Sequence, residues 1–466
     1  MYARLIISLL FTFHPATASS PSPEATLSPG TTVGWVDSPS QRGTSQLVLG
    51  CLVTILASTW AVLHLNVPSL KDRWQNTIIR KAKWMALTVL FPEFILAKAI
   101  CELRHALSNQ FEMHKMLRDL PESRKSKGER VATYLDGSPG TLLDNWNHRE
   151  GTRCQIWTMA HTYYLNMGGL LARPRSVPRS GSEEHVVVTM GYMLKPSSRL
   201  LENITLTSAE IEDKSKADWL LKSFTVLQIG WLLIEVFVRK LSMLPISQLE
   251  IATFGFSITA IFTYAANWWK PKDINSPTVM IQQVDYEGLE FEHESFSLRM
   301  IVWTDFYLRK SAPWSTMPDR IKNDMVLISG RTPVLSVILG LSTLGFGALH
   351  CLAWNFHFPT TTEMVIWRVS SLATALLPLL VIGPSIVLER LYYSKQDRLV
   401  AEFNSRLEKI HDFEIFDSLT FLSLTVSILY VAARVILIAI CFLSLRSSPA
   451  GVYETTPWTQ FLPRFS

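Results

Sequence analysis

The sequence predicts an all-α membrane protein, a bundle of about seven transmembrane helices with two large extramembrane loops. Three observations carry this. Of 466 residues 48% are hydrophobic, and they are gathered into long blocks rather than spread on the period of a globular helix or strand. The chain opens on a short apolar run that ends at small residues, as a secretory signal does. Basic residues crowd the connections between blocks, where positive charge reports sidedness.

The opening "MYARLIISLLFTFHPATASS" has one Arg, an apolar core from Leu5 to Phe13 and the small-residue site Ala16-Thr17-Ala18. That core is too short to span, so residues 1–18 are expected to be a cleaved signal peptide. Residues 19–45, rich in Ser, Pro, Thr and Gly, are expected to be a disordered lumenal or extracellular leader. Two transmembrane helices are expected within 46–103. The first, Gln46 to Leu65, has about 20 residues and hence roughly 30 Å of helix. The second, "WMALTVLFPEFILAKAICEL" at 84–103, carries Glu93 and Lys98, each with an insertion penalty of about 3 kcal/mol near a helix centre. A large lumenal loop, 104–218, follows. Residues 219–269 read as a transmembrane hairpin of spans three and four, because the connector "RKLSMLPISQ" allows only a tight turn. A second large loop covers 270–332. Residues 333–445 hold spans five to seven, and 446–466 form a C-terminal tail. Within the loops, "VVVTMGYML" and "HESFSLRMIVWTDFYL" are patterned as short strands or surface helices. No internal repeat and no independent soluble domain is visible.

Signal cleavage would leave the mature N-terminus lumenal or extracellular, and with seven spans the 104–218 loop falls on that same side. That loop contains the sequon Asn203-Ile204-Thr205, making Asn203 the expected glycosylation site. "KDRWQNTIIRKAK", between spans one and two, has five basic residues and marks the cytosol. The connection after span six, with Lys395, Arg398, Arg406 and Lys409, points the other way. The net charge of +5 has no basic tract interleaved with aromatics, so a nucleic-acid partner is excluded. Cys51, Cys101, Cys351 and Cys441 lie in or at the edge of apolar segments and Cys154 stands alone in a loop. That pattern offers no disulfide framework and no zinc site.

The chain resembles a large family of fungal multi-pass membrane proteins, mostly without a biochemical assignment. The likeness covers nearly all of it and rests on "QRGTSQLVLGCLVTILASTWAVLHLNVP", "WMALTVLFPEFILAKA", "HTYYLNMGG", "EIEDKSKAD", "LPISQLEIATFGFSITAIFTYAANWWKPKD", "GALHCLAWNFHFPTTTEMVIWRVSS" and "LRSSPAGVYETTPW". The resemblance implies a fungal source, an endomembrane or plasma-membrane address and, in some members, a place beside biosynthetic genes. It implies no reaction.

An ionisable side chain within a span must face protein or water and usually finds a partner. Glu93 and Arg434, both near mid-depth of their spans, are the leading candidate pair. Its bland reading is a lock on helix packing. Its functional reading is a proton or substrate site, to which Pro92 contributes by freeing a carbonyl. Lys98 and Glu102, at i and i+4, suit each other. His350 is a third catalytic candidate; seven residues on, His357 shares its face if the helix continues. Thr207 and Glu210 fit a capping box, S/T-x-x-E. "NWWKPKD" reads as an interfacial anchor, with Trp268 and Trp269 at headgroup level and Lys270 snorkelling. No P-loop, dinucleotide turn, nucleophile elbow, HExxH or DDxxD box occurs, so no cofactor or metal is expected. The expected partners are the lipid bilayer and a hydrophobic small-molecule substrate or ligand. A receptor-like or scaffolding membrane component is the first functional expectation. The alternatives are a membrane-embedded cyclase or isomerase using Glu93 with His350 or Arg434, and a transporter, disfavoured by the lack of repeat symmetry and paired broken helices.

Overall fold

The computed structural model describes residues 42–118, 157–174, 185–194, 206–215, 219–284, 320, 321, 323, 334–393 and 414–455. The expected signal peptide, Asn203, Cys154 and "HESFSLRMIVWTDFYL" lie outside these residues. The described chain is mostly helical. Thr44–Val62 (α1), Gln248–Ala266 (α8), Thr361–Tyr393 (α10) and Glu414–Leu443 (α11) contain four stretches long and apolar enough to cross a membrane. They are accompanied by Trp219–Leu241 (α7) and the shorter apolar Val334–Cys351 (α9). Apolar side chains point outward, among them Leu227, Phe237, Leu341 and Val369, as lipid-facing surfaces require. Some polar residues inside the helices are satisfied locally: Thr54, Ser58 and Thr59 of α1 donate their hydroxyls to carbonyls four residues back.

The segment expected as span two is not one helix. Trp74–Leu90 (α2) ends before Phe91, whose backbone leaves the helical region (φ −138°, ψ 61°), and Pro92–Arg118 (α3) starts at once, with the two axes bent by 108°. Pro92 has no N–H to continue α2, and its ring blocks the preceding turn. At the first position of α3 neither property costs anything. The carboxylate of Glu93 then sits in the first turn of α3, where the helix dipole favours negative charge.

The described stretches between 157 and 215 and between 270 and 284 fold together into a cap. Leu170–Pro174 (β1) lies between Val186–Val187 (β2), antiparallel to it, and Thr278–Val284 (β3), parallel to it. Around this sheet stand Met159–Asn166 (α4), the single turn Met190–Met193 (α5) and Ser208–Lys214 (α6). "VVVTMGYML" is thus a short strand running into a helical turn. The core of the cap joins Val67, Met113, Trp157, Tyr164, Leu170, Ile211 and Met280, drawn from five separated stretches of chain. Between α4 and β1 the chain reverses at Gly168 (φ 77°), and at Gly169 a Cβ would meet the Tyr164 ring at 2.5 Å, so glycine is needed for close approach.

The bundle therefore has two distinct ends. At the cap end, Lys272 donates to the carbonyls of Trp60 and Ala61, closing the C-terminus of α1. At the other end, the Arg42 N–H donates to the Tyr453 carbonyl at 2.7 Å, and its side chain reaches Glu235 and Glu250. The described cap lies at the opposite end of α1 from Arg42.

Candidate functional site at a broken helix

The break between α2 and α3 brings the main sequence candidates together. Glu93 and Arg434 are buried, 1% and 3% exposed, and their charged groups are 4.0 Å apart. Each also has a nearer partner. Arg434 donates its Nε–H to the Leu90 carbonyl at 2.9 Å, so a cation closes the negative end of α2. The Tyr430 hydroxyl donates to Oε1 of Glu93. The guanidinium lies over the Phe346 ring at 4.4 Å, and the Tyr430 ring stacks on Phe91 at 6.1 Å. One break thus exposes two opposite helix ends to two opposite charges, the arrangement in which interrupted helices are tolerated at membrane depth. Oε2 of Glu93 is buried and has no hydrogen-bond partner among the described residues.

His350 lies beside this group rather than in it. Its Nδ1 hydrogen-bonds to the Phe346 carbonyl at 3.0 Å and its ring packs edge-on against Phe346 at 4.8 Å. Phe346 therefore contacts both Arg434 and His350. His357 does not share a helix face with His350, since α9 ends at Cys351 and His357 stands exposed in the following turn. Tyr430 and the Leu90 carbonyl were missed in the sequence. Tyr430 had a signal, lying four residues before Arg434 and so on the same helix face; the carbonyl had none, because it is bare only once α2 ends.

A second buried charge group stands nearer the cap. Lys98 pairs with Glu102, as their spacing suggests, and Lys270 joins the same carboxylate at 2.7 Å. Lys270 is therefore a buried partner, not a snorkelling anchor; burial pushes its ammonium down to about 8, with Glu102 opposing and Lys98 assisting. Trp268 alone of that expected anchor is exposed. Beside this triad Asn66, His105, Tyr163, Asn166 and Met167 line a cavity no larger than about one water can fill.

Other polar residues hold elements in place. Thr207 and Glu210 form the expected capping box at α6. Two further boxes were not foreseen: Ser247 with Glu250 at α8, and Thr158 with His161 at α4. Nδ1 of His161 accepts the Thr158 N–H at 3.1 Å, so Nε2 carries the proton it donates to the Leu206 carbonyl. Burial brings this imidazole down to about 4, the bond to Leu206 opposing. Among the described residues no three His, Cys, Asp or Glu side chains converge as a metal site needs.

Residues 6–291 and 327–465 match DUF8562, described as a family of unknown function, and the chain belongs to that family. No curated protein and no solved structure matches it.

Proposed function

We propose that this member of the family is a receptor-like or scaffolding component of an endomembrane or plasma membrane, whose helices hold the folded cap at one membrane face. On this reading Glu93 and Arg434 pin a broken helix in place. The observation that carries it is the internal engagement of both side chains: Arg434 closes α2 and covers Phe346, while Tyr430 covers one carboxylate oxygen of Glu93. A buried ion pair of this kind specifies arrangement. The alternative is a membrane-embedded cyclase or isomerase with Glu93 as its acid, acting on a hydrophobic substrate; the unbonded Oε2 of Glu93 favours it. The deciding experiment is small-molecule profiling of a host strain deleted for the gene and complemented with wild type or Glu93→Gln. Unchanged profiles, with both proteins made and inserted, are expected. A defined precursor that accumulates in the deletion, and is cleared by wild type but not by Glu93→Gln, overturns the scaffold reading in favour of the enzyme.

A further inference from the structure

We infer that the chain crosses the bilayer six times between Arg42 and Tyr453, that α2 and α3 form a re-entrant pair that enters and leaves on the cap side, and that this side is cytosolic. The parity follows from one contact. Arg42 directly precedes the first span and Tyr453 follows the last, yet their backbones are hydrogen-bonded at 2.7 Å and the Arg42 side chain donates to the Val452 carbonyl at 2.8 Å. Two points joined in this way lie on one side of the membrane, so an even number of crossings separates them. Seven apolar segments cannot all cross.

The segment that does not cross is the broken one. Both of its outer ends are fixed to the cap. Before α2, the Val67 N–H bonds to the Met167 carbonyl and the Asn66 N–H to Asn323, while Asp72 pairs with Arg320 at 2.8 Å. In the last turns of α3, Gln110 donates to the Trp157 carbonyl and Met113 enters the cap core beside Val67. Only the vertex at Phe91 is deep: it meets Tyr430 and Arg434, and Arg434 lies nine residues, about 14 Å of helix, short of the end of α11. α7, by contrast, runs the full depth. It starts just after Ser215, which bonds to the Lys272 carbonyl at the cap, and ends with Arg239 on the carbonyls of Pro245, Gly451, Val452 and Glu454. Glu235 and Arg239 interrupt its apolar run only where they are held by this far end.

Charge then gives the orientation. With six crossings, Lys71 and Arg73 before α2, together with Arg80, Lys81 and Lys83 in its first three turns, lie toward the same side as the connection from Tyr393 to Glu414, with Lys395, Arg398, Arg406 and Lys409. The two turns at the other end, 242–247 and 352–360, contain no Lys or Arg. The conflict that seven crossings created between these basic connections disappears, and both mark the cytosol. Asn203, bracketed by Leu194 and Leu206 of the cap, is then out of reach of glycosylation.

Glycosylation mapping tests this in the full chain. Gly30→Asn creates Asn-Thr-Thr in the leader, and an Asn-Ser-Thr tag can follow Ser466. Both acceptors are expected to gain an endoglycosidase-sensitive shift, while the chain with Asn203 alone gains none. A modified leader with an unmodified tag means an odd number of crossings and overturns the inference. Modification at Asn203 places the cap in the lumen and overturns the orientation. A second measurement does not depend on sugar transfer: in sealed microsomes holding the chain with its five native cysteines replaced by serine, Lys71→Cys should react with an impermeant maleimide without detergent. Met243→Cys, at a position 87% exposed at the opposite end, should react only after detergent is added. The reverse labelling, or labelling of both without detergent, overturns the six-crossing arrangement.

Discussion

Removing Arg434 leaves the Glu93 carboxylate with Tyr430 alone, in a place where water cannot replace the lost charge. Breaking a buried pair from one side costs about 3–5 kcal/mol, whereas replacing both members by apolar or neutral groups is far milder. Arg434→Met is therefore expected to lower the apparent melting temperature of the purified protein in detergent more than Arg434→Met with Glu93→Gln does. Equal losses in the single and double variants would mean that the 4.0 Å approach carries no coupling. His161 gives a residue-scale test in the cap. Its folded value of about 4 lies below the ordinary 6.5, so between these pH values the unfolded cap takes up a proton that the folded cap refuses. Stability is then fullest above pH 6.5 and falls as the pH drops toward 4, by about 3 kcal/mol at the limit. Hydrogen exchange across residues 159–172, corrected for its intrinsic pH dependence, should quicken between pH 7 and 5 in the wild type. In His161→Gln, where an amide oxygen keeps the cap bond to Thr158 without titrating, that response should vanish.

At the scale of elements, Pro92 separates two pictures that look alike in the sequence. A proline kinking one continuous helix opposes that helix by about 3 kcal/mol, and replacing it stabilises. A proline at the first position of its own helix is favourable, and replacing it loses a few tenths to about 1 kcal/mol. Pro92→Ala is expected to lower stability by the smaller amount, read as the same melting temperature; a clear gain would restore the continuous helix. The distinction shows what was legible and why. Gln46 to Leu65 or Leu249 to Trp269 read as spans because twenty apolar residues admit few other fates. The direction taken after Phe91 was not legible, because it depends on Arg434, some 340 residues further on, meeting a carbonyl that is free only if the helix stops. The Glu93–Arg434 pair could be anticipated from depth alone, and Lys98–Glu102 from spacing. The cap could not be, since β1 and β3 pair in parallel across about a hundred residues with no local signal for their register.

On the scale of the whole molecule, the two ends of the described chain are clasped by arginines that carry no motif. Arg239 is fully buried and donates to the carbonyls of Pro245, Gly451, Val452 and Glu454, while Arg42 spans Glu235, Glu250 and the backbone of Val452. A planar guanidinium serves four carbonyls in a way that a lysine ammonium cannot. The segment after Ser448 therefore acts as the acceptor for a charge buried in the last turn of α7. Ending the chain there leaves Arg239 with the Pro245 carbonyl alone among these partners, at a cost of about 3 kcal/mol or more. Arg239→Ala should lose a similar amount, because the same contacts vanish from the other side. Combining the two should lose little beyond either one, since the truncated chain no longer strands a buried cation. Melting temperatures of the three variants decide it. Losses that simply add would mean that the C-terminal segment and Arg239 stabilise the bundle separately, and that the contact between them is incidental to how the two ends are held.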